Sequence, residues 1–103
     1  MSVIDWNDSA EQIHNKVRGL NPWPVARTEY MGKQLKIFAG QKQKNNTDFV
    51  PGTLFDKKGR LFAACGRGSV YEITELQLEG AKRMNASDFL LGHPLNGETA
   101  VLA

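Results

Sequence analysis

Residues 19–38 read GLNPWPVARTEYMGKQLKIF, and the Asn21-Pro22-Trp23-Pro24 run within them limits the chain most. A proline disfavours helical geometry in the residue before it and fixes its own φ, so two prolines bracketing one residue end any helix that arrives there. The pattern on the N-terminal side is helical. Ala10, Ile13, Val17 and Leu20 recur at i, i+3, i+7 and i+10, one apolar stripe along a helix over about residues 8–20. Asn7 or Asp8 can cap its first turn, and Glu11 stands three residues after Asp8 in capping-box spacing. Lys16 and Arg18 close the helix on the side that favours positive charge.

Beyond Pro24 the period changes from helical to alternating. Leu35 and Ile37 alternate with Gln34 and Lys36 after a Met31-Gly32-Lys33 reversal, which predicts a hairpin. Asp56-Lys57-Lys58-Gly59 separates two apolar runs and predicts a second hairpin, with glycine where positive φ is wanted. A Gly66-Arg67-Gly68 turn leads into VYEITELQL, whose alternation slips phase before Leu76 and Leu78; that slip predicts a bulge. NASDFLLG reads as a short helical turn capped by Asn85 or Ser87, and the tail HPLNGETAVLA is broken by proline and ends apolar. One leading helix and about five strands with glycine-rich turns predict a mostly-β fold. The best match is an OB-like five-stranded Greek-key barrel with an N-terminal amphipathic helix and a short C-terminal helical turn. The second architecture is an open antiparallel sheet with the helix on one face. Trp6, Ile13, Val17, Trp23, Leu35, Ile37, Leu54, Leu61 and Leu76 are the expected core.

The 103 residues suit one domain, 1–103, large enough for a core without covalent staples. Cys65 is the only cysteine, which excludes an internal disulfide, and its apolar surroundings predict a small buried residue rather than a reactive thiol. No secretory signal or membrane-length apolar run is present, so a cytoplasmic, soluble chain without membrane contact is expected. His14 and His93 are the only histidines, and neither has a carboxylate at ligand spacing, so no metal is expected. Glu72, Glu75 and Glu79 read as a solvated strand face rather than an acid/base pair. No nucleophile elbow or phosphate loop is present, and no catalytic residue is expected in the chain. The net charge of +2 does not identify a nucleic-acid binder; only the distribution of basic residues could.

The run IDWNDSAEQIHNKVRGLNPWPVA resembles the start of the C-terminal domain of methionyl-tRNA formyltransferases, in which Ile-Asp-Trp and a capping residue lead a helix ending at Asn-Pro-Trp-Pro. VPGTLFDKKG resembles that family's Pro-Gly-Thr strand entry, and LQLEGAKRMNASDFLLG its closing Leu-Gln-x-x-Gly-Lys-Lys-x-Met segment, so the likeness runs in order along nearly the whole chain. The tail GHPLNGETAVLA departs from many members. The resemblance implies an OB-like barrel that follows a Rossmann-type formyl-transfer domain, with Trp23 filling space beneath a rigid crossover and Trp6 anchoring the helix entrance. It implies a non-catalytic, tRNA-binding scaffold in translation initiation, whose partners are initiator Met-tRNA and the N-terminal catalytic domain. It also implies that 10-formyl-tetrahydrofolate serves the full-length enzyme, with no cofactor in this domain. The implied tRNA contacts are Lys82 and Arg83, which match the family's Lys-Lys pair, followed by Lys33 and Lys36, with Lys57, Lys58 and Arg60 ranked below them. A helix N-terminus beside Lys82 and Arg83 would add its own pull on phosphate. Related domains occur in amino-sugar nucleotide formyltransferases and formyl-tetrahydrofolate dehydrogenase; either of these, or a free-standing interaction module, is the alternative.

Overall fold

In a computed structural model the described residues are 3–20 and 25–103, so the expectation for Trp23 and its flanking prolines lies outside them. Helix α1 spans Ala10–Leu20. Its cap differs from expectation by one residue. The Ser9 hydroxyl accepts from Gln12 N at 3.2 Å while Gln12 Oε1 accepts from Ser9 N at 2.9 Å, a reciprocal capping box on Ser9 and Gln12. Asp5 instead turns its carboxylate onto Asn7 N, which shapes the entry to the helix.

Five principal strands follow: β1 (Ala26–Tyr30), β2 (Lys33–Lys42), β3 (Thr53–Lys57), β4 (Arg60–Ala64) and β5 (Val70–Leu78). Two two-residue strands complete the sheet: β6 (Met84–Asn85), which leads into helix α2 (Ala86–Gly92), and β7 (Ala100–Val101). The order is β1-β2-β5-β4-β3-β7 with β6 paired to β5, and every pairing between these strands is antiparallel. Both hairpins turn over two residues of positive φ, Met31 and Gly32 in the first, Lys58 and Gly59 in the second. Such turns match the right-handed twist of the strands they join.

The phase slip in β5 has a structural cause. Its pairing with β2 shifts register twice, around Phe38 and again between Ala39 and Gly40, so Tyr71 and Ile73 face the core before the slip and Leu76 and Leu78 after it. Gly40 sits at this irregularity, where a Cβ would overlap the Glu72 carbonyl and the Tyr71 ring. Asn85 caps α2 by accepting from Asp88 N at 2.9 Å.

The tail finishes the fold. β7 pairs with β3, Leu102 N donates to Gly52 O at 2.7 Å, and Leu102 bridges Tyr30 of β1. The two ends of the strand order are thereby joined through the last residues, giving the nearly closed, barrel-like sheet. Trp6 is buried beside this seam: its Nε1 donates to buried Thr28 Oγ1 at 2.9 Å, and Thr28 in turn donates to Ala103 O. Ile13 and Val17 of α1 pack onto the same core as Leu35, Ile37, Leu54, Leu61 and Leu76. Burying a side chain of that size contributes about 1.5–3 kcal/mol, so the stripe is a main attachment of α1 to the barrel, alongside Ala10 N donating to Ser69 Oγ and the Glu11–Lys42 pair. All the expected core residues among those described are buried, and Cys65 is buried with its thiol pushed up to about 12 by loss of solvent.

Candidate nucleic-acid interface

The outward positions of β1, β2 and β5 form one row where cations gather. Arg27 of β1 lies opposite Lys36 of β2, and Lys36 lies opposite Gln77 of β5. Both Arg27 and Lys36 are exposed, because the alternation that buries Leu35 and Ile37 must turn Lys36 outward. Gln77 extends the row toward the β5–β6 turn, its amide donating to Ala81 O at 2.8 Å. Lys82 follows Ala81 and is exposed.

Arg83 is held more firmly than its sequence suggests. Its guanidinium lies 3.9 Å from the centre of the Phe38 ring, and its Nε donates to Glu75 Oε2 at 2.7 Å. The hydrogen bond from Arg83 is the main reason the Glu75 carboxyl is held below the usual carboxylate range. Arg83 is thus oriented by stacking and by an ion pair, with about half of its side chain open to solvent at 47%. Lys33 stands at the hairpin end, opposite Tyr30, next to the point where Glu79 Oε1 accepts from Gln34 N. The structure therefore brings Lys36 and Arg83 onto one outer face, leaves Lys82 exposed in the adjoining turn, and puts Lys33 at the margin beside a carboxylate.

Arg27 was missed in the sequence, although counting outward from the Met31–Gly32 turn puts it opposite Lys36. The expected help from a helix N-terminus is weak here. Asn85 already occupies the Asp88 N–H, and the Asp88 carboxylate stands in the first turn of α2.

The reading of Glu72, Glu75 and Glu79 as a solvated face needs correction at Glu72. That side chain is 10% exposed and is gripped by Arg60, whose Nε donates to Oε2 at 2.9 Å and whose Nη2 donates to Oε1 at 2.6 Å. It faces outward, but Phe62, Gln43 and Arg60 close over its side of β5. His14 is half-buried against Tyr71, ring centres 5.7 Å apart, and burial followed by the charges of Arg18 and Lys42 holds it below its ordinary value. Neither arrangement puts a general acid and base around a shared cleft.

A family profile described as Formyl transferase, C-terminal domain, matches residues 1–94. The chain is 42% identical over 104 residues to a methionyl-tRNA formyltransferase of Acetivibrio thermocellus, covering 99% of this chain and 33% of that protein. It is 45% identical over 96 residues to one from Acidobacterium capsulatum, covering 93% and 31% respectively. Against the Bacillus velezensis methionyl-tRNA formyltransferase it is 42% identical over 90 residues, covering 86% and 28%. The chain thus spans about a third of the length of these relatives. Among solved structures, HypX from Aquifex aeolicus in complex with tetrahydrofolic acid superposes with a TM-score of 0.72 at 18% identity, over 94% of this chain and 17% of that one. At that identity the likeness concerns the fold.

Proposed function

The chain belongs to the formyl transferase C-terminal domain family, with methionyl-tRNA formyltransferases as its relatives, and on that premise we propose that it is a non-catalytic, tRNA-binding domain of such an enzyme. In this reading an upstream catalytic domain moves a formyl group from 10-formyl-tetrahydrofolate to the amine of initiator Met-tRNA in the cytoplasm. The present domain holds the tRNA by its backbone. The observation that carries the reading is the Arg27–Lys36–Gln77 row, continued by Arg83 on the same face, with Lys82 exposed in the turn beside it. Cations on a rigid sheet can meet successive phosphates without reading sequence, and each phosphate neutralised releases counterions. Arg83 is suited to this because the Phe38 ring fixes its plane while half of the side chain remains exposed.

The test is titration of tRNA with the wild-type chain and with a Lys82→Ala, Arg83→Ala double variant at low and physiological salt. Wild-type affinity should fall roughly 50-fold between about 50 and 200 mM salt if three to four phosphates are contacted. The double variant should bind more weakly at low salt, with a shallower dependence. Equal affinity for the two proteins, or binding indifferent to salt, would remove this face from the interface.

A further inference from the structure

The opposite shoulder of the sheet, where β3 and β4 face outward, has a different chemistry. Phe55 and Phe62 are directly paired across the two strands, their rings stacked at 5.5 Å with 23° between planes. Phe49, from the loop preceding β3, meets Phe55 edge-on at 5.0 Å and is 44% exposed. Arg60 lies over the Phe62 ring at 5.4 Å, fixed there by its two hydrogen bonds to Glu72. Phe55 and Phe62 form one side of a groove of about 320 Å³ whose other side is the loop carrying Asn45, Asn46 and Thr47. That loop is tied down at both ends, by Gln43 N donating to Val70 O at 2.9 Å and Thr47 N donating to Gly68 O at 2.8 Å. The groove is therefore formed before anything enters it.

Lys57 and Lys58 complete the lining together with Arg60, and no carboxylate is among its described lining residues. Arg60 is already paired with Glu72, so the charge the groove offers an anion is that of Lys57 and Lys58; with aromatic surface and side-chain amides these match a flat ring bearing polar edges and joined to an anion. A volume near 320 Å³ lies at the small end of ordinary ligand sites. Resting on the tRNA-binding reading above, we infer that this groove takes one unpaired RNA nucleotide, its base against Phe55 and its phosphate toward Lys57 and Lys58. A base inside a duplex has both faces covered by its neighbours and cannot enter; an unpaired one can, with little regard for which base it is. The two shoulders then divide the work. The Lys36 face takes backbone from paired or unpaired RNA, whereas the Phe55 groove takes unpaired nucleotides alone.

The experiment compares binding of the 103-residue chain to a labelled single-stranded RNA of mixed sequence and to a blunt RNA duplex of the same length. Three proteins are compared with wild type: Phe49→Ala with Phe55→Leu, Lys57→Ala with Lys58→Ala, and Lys36→Ala with Lys82→Ala, each first checked for an unchanged unfolding midpoint. The phenylalanine variant should weaken single-strand binding about tenfold, the order of one lost base–aromatic contact, and leave duplex binding within about twofold. The Lys57, Lys58 variant should likewise weaken the single strand more than the duplex, and the Lys36, Lys82 variant should weaken both. Single-strand binding untouched by the phenylalanine variant overturns the inference. Equal weakening of strand and duplex by that variant overturns it too. If only the Lys36, Lys82 variant leaves RNA binding unchanged, the basic face fails while the groove stands.

Discussion

Two arginines flank β5 in nearly the same company. Arg60 pairs with Glu72 and lies over Phe62 on the β4 side; Arg83 pairs with Glu75 and lies over Phe38 on the β2 side. The difference is in the carboxylates. The Glu72 side chain is 10% exposed and held by two hydrogen bonds from Arg60 and one from Gln43, while that of Glu75 is 38% exposed and held by one from Arg83. The same three residue types thus make a structural clamp on one side and an open, oriented cation on the other. Burial of the anion decides which, because a stranded buried charge is costly and a solvated one is not.

The largest expected effect comes from the junction between the two clusters. Gly40→Ala places a methyl group against the Glu72 carbonyl and the Tyr71 ring, which can be relieved only by moving β2 away from β5. We expect a loss of about 3 kcal/mol in chemical unfolding, the upper range for overpacking a tight site. An unchanged midpoint would mean that this junction is looser than the register shift implies.

Arg60→Ala leaves the Glu72 carboxylate beneath Phe62 with only the Gln43 amide to answer it and should lower the unfolding midpoint clearly. Arg83→Ala leaves Glu75 to solvent and should barely move the unfolding midpoint. Equal losses in the two variants would break the distinction between clamp and open cation.

A smaller effect sharpens the functional side. Glu75→Gln removes the anion that competes with phosphate for Arg83 and should tighten tRNA binding about two- to threefold at low salt, with the salt slope steeper by up to about one. Weaker binding would mean that the carboxylate is needed to aim Arg83.

Legibility in the sequence followed the range of the interaction. The stripe of Ala10, Ile13 and Val17, the Met31–Gly32 and Lys58–Gly59 turns, and the slip before Leu76 are local patterns imposed by one helix period or one strand period, and each appears where expected. The Ser9–Gln12 box was missed by one residue because Asp8 and Glu11 offer the same spacing. The burial of Glu72 depends on Arg60, twelve residues away, and on a loop folded over it, so no local pattern marks it. Leu102 closing onto Tyr30 is longer-range still; a short apolar tail carries no sign of which strand it will meet. For the candidate interface, the basic residues themselves were visible. That Lys36 and Arg83 share a face required the strand order, since β2 and β5 are distant in sequence.

The smallest expected effect is a pH dependence at His14. Burial, then Arg18 and Lys42, hold it below its ordinary value near 6.5, even though Glu11 pairs with Lys42 close by. As pH falls through about 6.5 the unfolded chain takes up a proton that the folded chain resists, so stability declines from there down to the depressed folded value. His14→Gln should flatten that part of the stability profile; a profile identical to wild type would contradict it.

On the proposed reading, RNA backbone lies along the outer face of β1, β2 and β5. Mapping backbone amide shifts of the isotopically labelled chain on addition of a duplex RNA stem at low salt addresses it directly. Shifts should concentrate at Arg27, Lys36, Gln77 and residues 81–83 and return toward the free values as salt is raised. Shifts confined to the exposed side of α1, or unchanged by salt, would contradict it.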